Sequence, residues 1–386
     1  MVQRASAINP ALLVWARERA GLSIGEVAER LGKEPEVIAA WESGDAFPAY
    51  GQLERLAESL YRRPVALFFL PSPPDEPAVR NEFRTLPDSD IADLGSDTRF
   101  ALRDAHAFQT SLRELTAGRN PAERLIFRDL RASARTDVVD LAARVRDYLG
   151  VSLAEQQSWP NAERALNVWR SALENVGVFV FKRSFSDREV SGFCLHDDVF
   201  PLVVINNSTP FTRQVFTLFH ELGHLLFGVS SITVEDPSIV ERLSPPNRFI
   251  EVACNRFAAE ALVPDSSFPW DTFQGSALEG FLIQMSDRYN VSREVILRKL
   301  RDRDLVSGDQ YAQRAAIWAS EPARGDAGEG GGSYYATQSA YLSKAFLGLA
   351  FSQFRAGRIT LPEIAEHLRM RARNVAKFED FLFARG

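Results

Sequence analysis

The residues able to do chemistry together are His220, Glu221 and His224, in the run His220-Glu221-Leu222-Gly223-His224. Side chains four residues apart lie one turn above each other on a helix face, so two imidazoles at this spacing can aim their nitrogens at one point. This is the geometry of a zinc chelate. Glu221 is offset round the helix from His220, which places its carboxylate beside the metal, where it can take a proton from bound water. With five histidines in 386 residues, chance supplies about 0.004 such motifs. The competing reading is a pair of core histidines satisfied by ordinary hydrogen bonds. The apolar setting, Phe216, Leu218, Phe219, Leu222, Leu225 and Leu226, favours a shared partner instead.

Catalytic zinc takes three protein ligands and keeps a position for water. The chain has two cysteines, Cys194 and Cys254, too few for a Cys-rich knuckle or a disulfide framework. His106, His196 and His367 have no helical context aligned with the motif. Glu251 does: it sits on a helix for which Ser244 reads as the cap, Pro245 and Pro246 as the start and Leu262 as the end before Pro264. Glu251, Cys254, Asn255 and Ala258 share one face of it, so Asn255 is the candidate hydrogen-bond partner of the ligand. Cys254 is a weighed alternative ligand, although a small buried thiol is the more ordinary reading. Glu260, nine residues beyond Glu251, falls on the opposite face and is expected in solvent. His196 and Arg213 are the only candidates named for stabilising an oxyanion, and spacing fixes neither near the metal.

The elements that must hold these residues follow from periodicity. Thr209 reads as a helix cap with Pro210 at the first position, an apolar face runs to Leu226, and Gly228 stops the helix. Before it come a helix over 163–176 and strand candidates at Val178–Phe181, Phe193–Leu195 and Val199–Ile205. A small sheet therefore immediately precedes the metal helix. An extended peptide added to a sheet edge would align its carbonyl with the metal.

Residues 8–70 read as short helices, with one stripe at Leu12, Leu13, Ala16 and Ala20, a second helix opened by Ser23 and ended by Gly32, and a third from about Pro35 to Trp41. This stretch, above all Trp41-Glu42-Ser43-Gly44 followed by Phe47-Pro48 and Leu53, resembles the Xre-type helix-turn-helix, which implies DNA as a partner. Its charge argues the other way. Residues 1–75 carry eight Lys and Arg against ten acids, and the helix that would enter the major groove presents Glu34, Glu36 and Ala39. The alternative is a helical unit that packs or recognises protein.

The fold class expected is α+β, mainly α, in four parts: a helix-turn-helix domain over 1–74, a helical connecting region over 75–162, a zincin-like domain of small sheet and metal-binding helices over 163–320, and a Gly-rich linker with a separate C-terminal helical unit over 321–386. The linker is Gly325–Gly332. Arg369, Arg371, Arg373 and Lys377 cluster in the last part and read as a solvated or ion-paired face. No repeat of 20 to 50 residues stands out; Ile359 to Ile364 faintly echoes the segment opening at Ser23, and nothing is built on it. A net charge of −6 gives no whole-molecule attraction to phosphates. With no apolar run of membrane-spanning length and no signal-peptide pattern, the expected location is the cytoplasm, with no membrane partner. Oligomeric state is not readable.

The run Phe216 to His224, then Glu251 to Ala259, then Leu262-Val263-Pro264 resembles the ImmA/IrrE metallopeptidase family over about residues 165–265, with Cys254 where that family leads one to expect alanine. A helix-turn-helix fused ahead of such a peptidase is also an arrangement of that family. The resemblance implies one zinc ion, or another divalent metal, held by His220, His224 and Glu251, with Glu221 catalytic and the strand Leu202–Ile205 lining the substrate cleft. It implies a regulatory endopeptidase that cuts a protein partner, often a transcriptional repressor, in response to stress or mobile-element signals. The competing class is a non-enzymatic transcriptional regulator or antitoxin with the zinc fold as scaffold or sensor.

Overall fold

A computed structural model of the chain describes residues 5, 7–76, 83, 91, 94–185, 190–234, 240, 242–320 and 333–384. The expected Gly-rich linker, Gly325–Gly332, lies outside them. The fold is α+β and mainly α, and the chain divides into two compact units, residues 1–104 and 105–386. No helix among the described residues is long and apolar enough to cross a membrane.

The first unit opens with α1 (Pro10–Arg19), α2 (Ile24–Leu31) and α3 (Pro35–Ser43). Ser23 and Glu26 form a reciprocal cap on α2: Ser23 Oγ accepts from the Glu26 amide at 3.2 Å, and Glu26 Oε2 accepts from the Ser23 amide at 2.8 Å. Gly32 ends α2 at φ +63°, a left-handed position that costs glycine nothing. Leu12, Leu13, Val27, Ile38, Trp41 and Leu53 are buried together. Arg17 Nε donates to Glu42 Oε1 at 2.7 Å, tying α1 to α3.

The second unit is built on a four-stranded sheet of β1 (Phe179–Arg183), β2 (Val190–Leu195), β3 (Leu202–Asn206) and β4 (Ser231–Val234) in the order β1-β3-β2-β4. β1 runs parallel to β3, and the other two pairings are antiparallel. Alternation assigns the two faces. Val180, Cys194, Val203 and Ile205 pack in the core that contains the metal helix. On the other face the ring of Phe181 stacks on Phe108, centroids 4.3 Å apart, and meets Phe346 edge-on. The sheet is covered on both sides, so three of its strands are almost wholly buried.

The unit also contains α4 (Val138–Leu149), α5 (Ala162–Asn175), α6 (Phe211–Leu226), α7 (Pro245–Leu262), α8 (Leu278–Tyr289) and α9 (Arg293–Asp302). From Ala105 on, the stretch read as a connecting region belongs to this unit, while its residues up to Asp104 fall in the first. Val145 and Leu149 of α4 are buried with Phe257 and Leu262 of α7, and buried Arg146 donates to Ala261 O and Gln156 Oε1, both at 2.7 Å. Glu260 corrects the solvent expectation. It is 6% exposed and accepts from Lys299 Nζ of α9 at 2.9 Å, because another helix covers what α7 alone would present to water.

The C-terminal helices α10 (Tyr334–Tyr341), α11 (Lys344–Arg355), α12 (Leu361–His367) and α13 (Ala372–Phe383) likewise belong to the second unit rather than standing apart. Buried Arg170 of α5 donates to Ala340 O at 3.2 Å, Leu342 O at 3.3 Å and Val180 O at 3.1 Å, while Glu174 Oε2 accepts from the Ala345 amide at 3.1 Å. One guanidinium thus joins α5, β1 and the C-terminal chain. Arg170→Ala should cost about 3 to 5 kcal/mol, because it leaves the carbonyls of Val180, Ala340 and Leu342 without their donor. Urea unfolding measures it; a loss below about 1 kcal/mol would show that this junction is not structural.

Candidate metal centre

Helix α6 is buried for most of its length, polar side chains included, as a helix sandwiched between sheet and helices must be. Its start differs from expectation. Phe211 is its first residue, Pro210 precedes it, and the Thr209 hydroxyl donates to Asn206 O at 2.9 Å instead of capping. Ser244 makes no side-chain cap on α7 either. Pro245 and Pro246 remove two amides that a cap would otherwise satisfy.

Two glycines let the layers approach. A Cβ on Gly192 of β2 would meet Thr217 Cγ2 at 2.7 Å and Val204 O at 2.8 Å, so α6 lies directly on the sheet. A Cβ on Gly223 would meet Cys254 Sγ at 3.0 Å and Phe257 Cδ1 at 3.2 Å, so α7 lies directly on α6. Gly223 is the residue between the motif's leucine and second histidine, and the contact it permits brings Glu251 to the histidines.

His220 Nε2 lies 3.2 Å from Glu251 Oε1, His224 Nε2 lies 3.2 Å from Glu251 Oε2, and the two Nε2 atoms are 3.0 Å apart. The donor atoms of these three residues all fall within 4.8 Å of one another. His220 and His224 are each 1% exposed, so no solvent shell competes for the site. Asn255 Nδ2 donates to Glu251 O at 3.0 Å and reaches Oε1 at 3.4 Å, fixing the carboxylate from behind. Burial acts to raise the Glu251 pKa, but the facing His220 and His224 outweigh it and hold the carboxyl well below its usual range. Two imidazole nitrogens and one carboxylate, converging where both rings are buried, are a donor set that fits a divalent ion such as zinc.

Glu221 is fully buried on the same helix. Its Oε1 accepts from Thr233 Oγ1 of β4, and its Oε2 has no hydrogen-bond partner among the described residues. Burial pushes its pKa up, opposed by His224, His220 and the bonds from Thr233 and the Cys194 thiol. A raised carboxylate with one oxygen tied and the other buried without a partner has the free acceptor that proton exchange with a bound water requires.

Among the candidates set aside, His106, His196 and His367 do not join the group of donors. His367 bonds Ser111 Oγ at 3.0 Å, and His196 lies near Gly228, beyond the end of α6. Cys254 packs on Gly223 and is outside the donor group as well. Arg213 sits two turns before His220, about 10 Å along the helix. The strand expected to line a cleft, Leu202–Ile205, is an interior strand paired on both sides, so it has no free edge for a peptide. β4 is the outer strand beside the metal helix, and sequence reasoning missed both it and Thr233. The available signal was the β-branched run Ile232-Thr233-Val234 after Gly228, only four residues long as a strand.

Residues 173–301 match the model of the IrrE N-terminal-like domain, Peptidase_M78, and residues 11–67 match the model of a helix-turn-helix domain. The first match spans β1 to α9 and contains every residue of the centre; the second spans α1 to α3 and the helices that follow. No curated protein matches the chain. The chain therefore carries an IrrE N-terminal-like domain of the M78 peptidase type behind an N-terminal helix-turn-helix domain.

Proposed function

We propose that this protein is a zinc-dependent endopeptidase that hydrolyses a peptide bond in a regulatory protein partner. The observation that carries the reading is the convergence of His220 Nε2, His224 Nε2 and the Glu251 carboxylate one residue away from a buried carboxylate that is not part of the convergence. His220, His224 and Glu251 would hold the ion. When bound, zinc supplies Lewis acidity to a water and to the scissile carbonyl. Glu221 takes the proton of the attacking water on its open Oε2 and passes it to the leaving amine, which balances the hydrolysis. Thr233 keeps the other oxygen occupied, so the carboxylate presents one defined atom. Asn255 holds Glu251 against rotation.

The outer edge of β4 pairs with no strand among the described residues. An extended substrate segment added there would be aligned by backbone hydrogen bonds, which suits a protease acting on an unfolded or exposed stretch of its partner. A scaffold or sensor built on the same ligands has no use for Glu221 or for the bond from Thr233, and this pairing favours hydrolysis over the non-enzymatic reading.

Glu251→Gln should lower zinc affinity at least tenfold in a chelator competition. Undiminished affinity would reassign the third ligand. Zinc-loaded wild type and Glu221→Gln, incubated with proteins co-purified from the source cells, should differ by two orders of magnitude or more in cleavage products, since general acid–base catalysis contributes roughly 10² to 10⁴. Equal cleavage by both, or none by the wild type, contradicts the peptidase reading. Thr233→Val should keep the zinc and slow cleavage about tenfold; an unchanged rate would remove Thr233 from the site.

A further inference from the structure

The C-terminal helices α12 and α13 repeat the architecture of α2 and α3. Ser23 caps α2 with Glu26 reaching back to it, and Thr360 caps α12 with Glu363 reaching back: Glu363 Oε2 accepts from the Thr360 amide at 2.6 Å and from its hydroxyl at 2.7 Å. Nine residues after each cap the chain turns left-handed, at Gly32 with φ +63° and at Arg369 with φ +53°. The amide that follows bonds back to the same position in both, Lys33 N to Ala28 O and Met370 N to Ala365 O, each at 2.9 Å. The second helix then starts twelve residues after the cap, at Pro35 and at Ala372.

The inward residues correspond as well. Val27, Ala28, Ile38 and Trp41 are buried in one copy, and Ile364, Ala365, Val375 and Phe378 at the same positions in the other. Even the brace from the preceding helix recurs: Arg17 Nε to Glu42 Oε1 and Arg355 Nε to Glu379 Oε1, both at 2.7 Å. The turn before each unit carries a glycine at φ +66°, Gly21 two residues before its cap and Gly357 three before, and the bracing arginine is likewise displaced by one position. So many coincident features make the second segment a helix-turn-helix, and the faint echo at Ile359–Ile364 is its opening.

What differs is the outer face of the second helix. Glu34, Glu36, Val37 and Ala40 of the first copy are replaced by Arg371, Arg373, Asn374 and Lys377. Residues 32–43 hold one cation against three acids, whereas residues 369–380 hold four cations against two acids. Arg371, Arg373 and Lys377 are exposed, and none has an ion-pair partner among the described residues. Of the solvated or ion-paired face expected here, these three residues take the solvated form. His367, on the opposite side of α12, bonds Ser111 and anchors the motif to the second unit.

We propose that residues 343–384 form a second helix-turn-helix that binds duplex DNA, with α13 as the helix in the major groove and Arg371, Arg373 and Lys377 as its contacts. In this docking mode the first residues of the second helix reach base edges and the first helix crosses the backbone. Arginine is the side chain that pairs bidentately with guanine, asparagine pairs with adenine, and lysine neutralises phosphate. The charges of α13 suit that groove, and those of α3 do not.

The test uses the full-length, zinc-loaded protein and a fluorescent 30-base-pair duplex of mixed sequence, with binding followed by anisotropy from 20 to 200 mM salt. Arg371→Gln/Arg373→Gln/Lys377→Gln should weaken binding at least about tenfold at 50 mM salt and make the log–log salt slope shallower by about 2 to 3, since each phosphate contact contributes roughly 0.9. Lys33→Gln should shift the slope by no more than about 1. Photocrosslinking of the unaltered protein to iodouracil-substituted duplex supplies a check independent of the variant's folding. Cross-linked peptides should include residues from 369–380. Absence of duplex binding at 20 mM salt, unchanged affinity and slope in the triple variant, or cross-links confined to other segments would overturn the proposal.

Discussion

The structure of the candidate centre depends on the contact between Gly223 and Cys254. Helices normally pack with axes 8 to 10 Å apart, set by the side chains between them, and here the hydrogen on Gly223 lets the Cys254 thiol and the edge of Phe257 come directly against α6. That approach brings a carboxylate from α7 within 3.2 Å of two imidazoles on α6. The rest of the unit serves the same contact: Gly192 lets the sheet support α6 from one side, α4 braces α7 through Arg146, and Lys299 of α9 holds Glu260. A larger residue at 223 would separate the ligands while leaving their identities untouched.

Within each helix, spacing alone sets which side chains share a face, His220 with His224 and Glu251 with Asn255; the pairing of the two helices came from the family resemblance and from the need for a third ligand. The surroundings were harder to read because they are tertiary. Thr233 lies on a four-residue strand whose only role in the sheet is to flank β2, and no local period announces it. Glu260 faces away from Glu251 as the helical wheel requires, yet α9 covers that side. Ser244 does stand at the cap position of α7, with Pro245 first and Leu262 last as expected, although its hydroxyl makes no capping bond; at the other helix the proline itself takes the cap position, and Thr209 turns instead to Asn206.

The C-terminal cluster shows a different limit. Read as charges on one amphipathic helix, Arg371, Arg373 and Lys377 are an ordinary solvated face. Their meaning depends on the backbone around them: a cap, a left-handed residue nine positions on and a second helix twelve positions on, each matching the N-terminal copy. The two copies keep the same interior and differ on the outside, which separates what a helix-turn-helix needs in order to fold from what it needs in order to bind.

The central claim is that two histidines and one carboxylate hold a zinc ion with room for water. X-ray absorption at the zinc edge of the loaded protein measures this directly. The account predicts a first shell of nitrogen and oxygen alone at about 2.0 to 2.2 Å, with imidazole scattering from two rings. A sulfur scatterer at about 2.3 Å would place Cys254 or Cys194 on the metal and contradict it, as would a shell without two imidazoles.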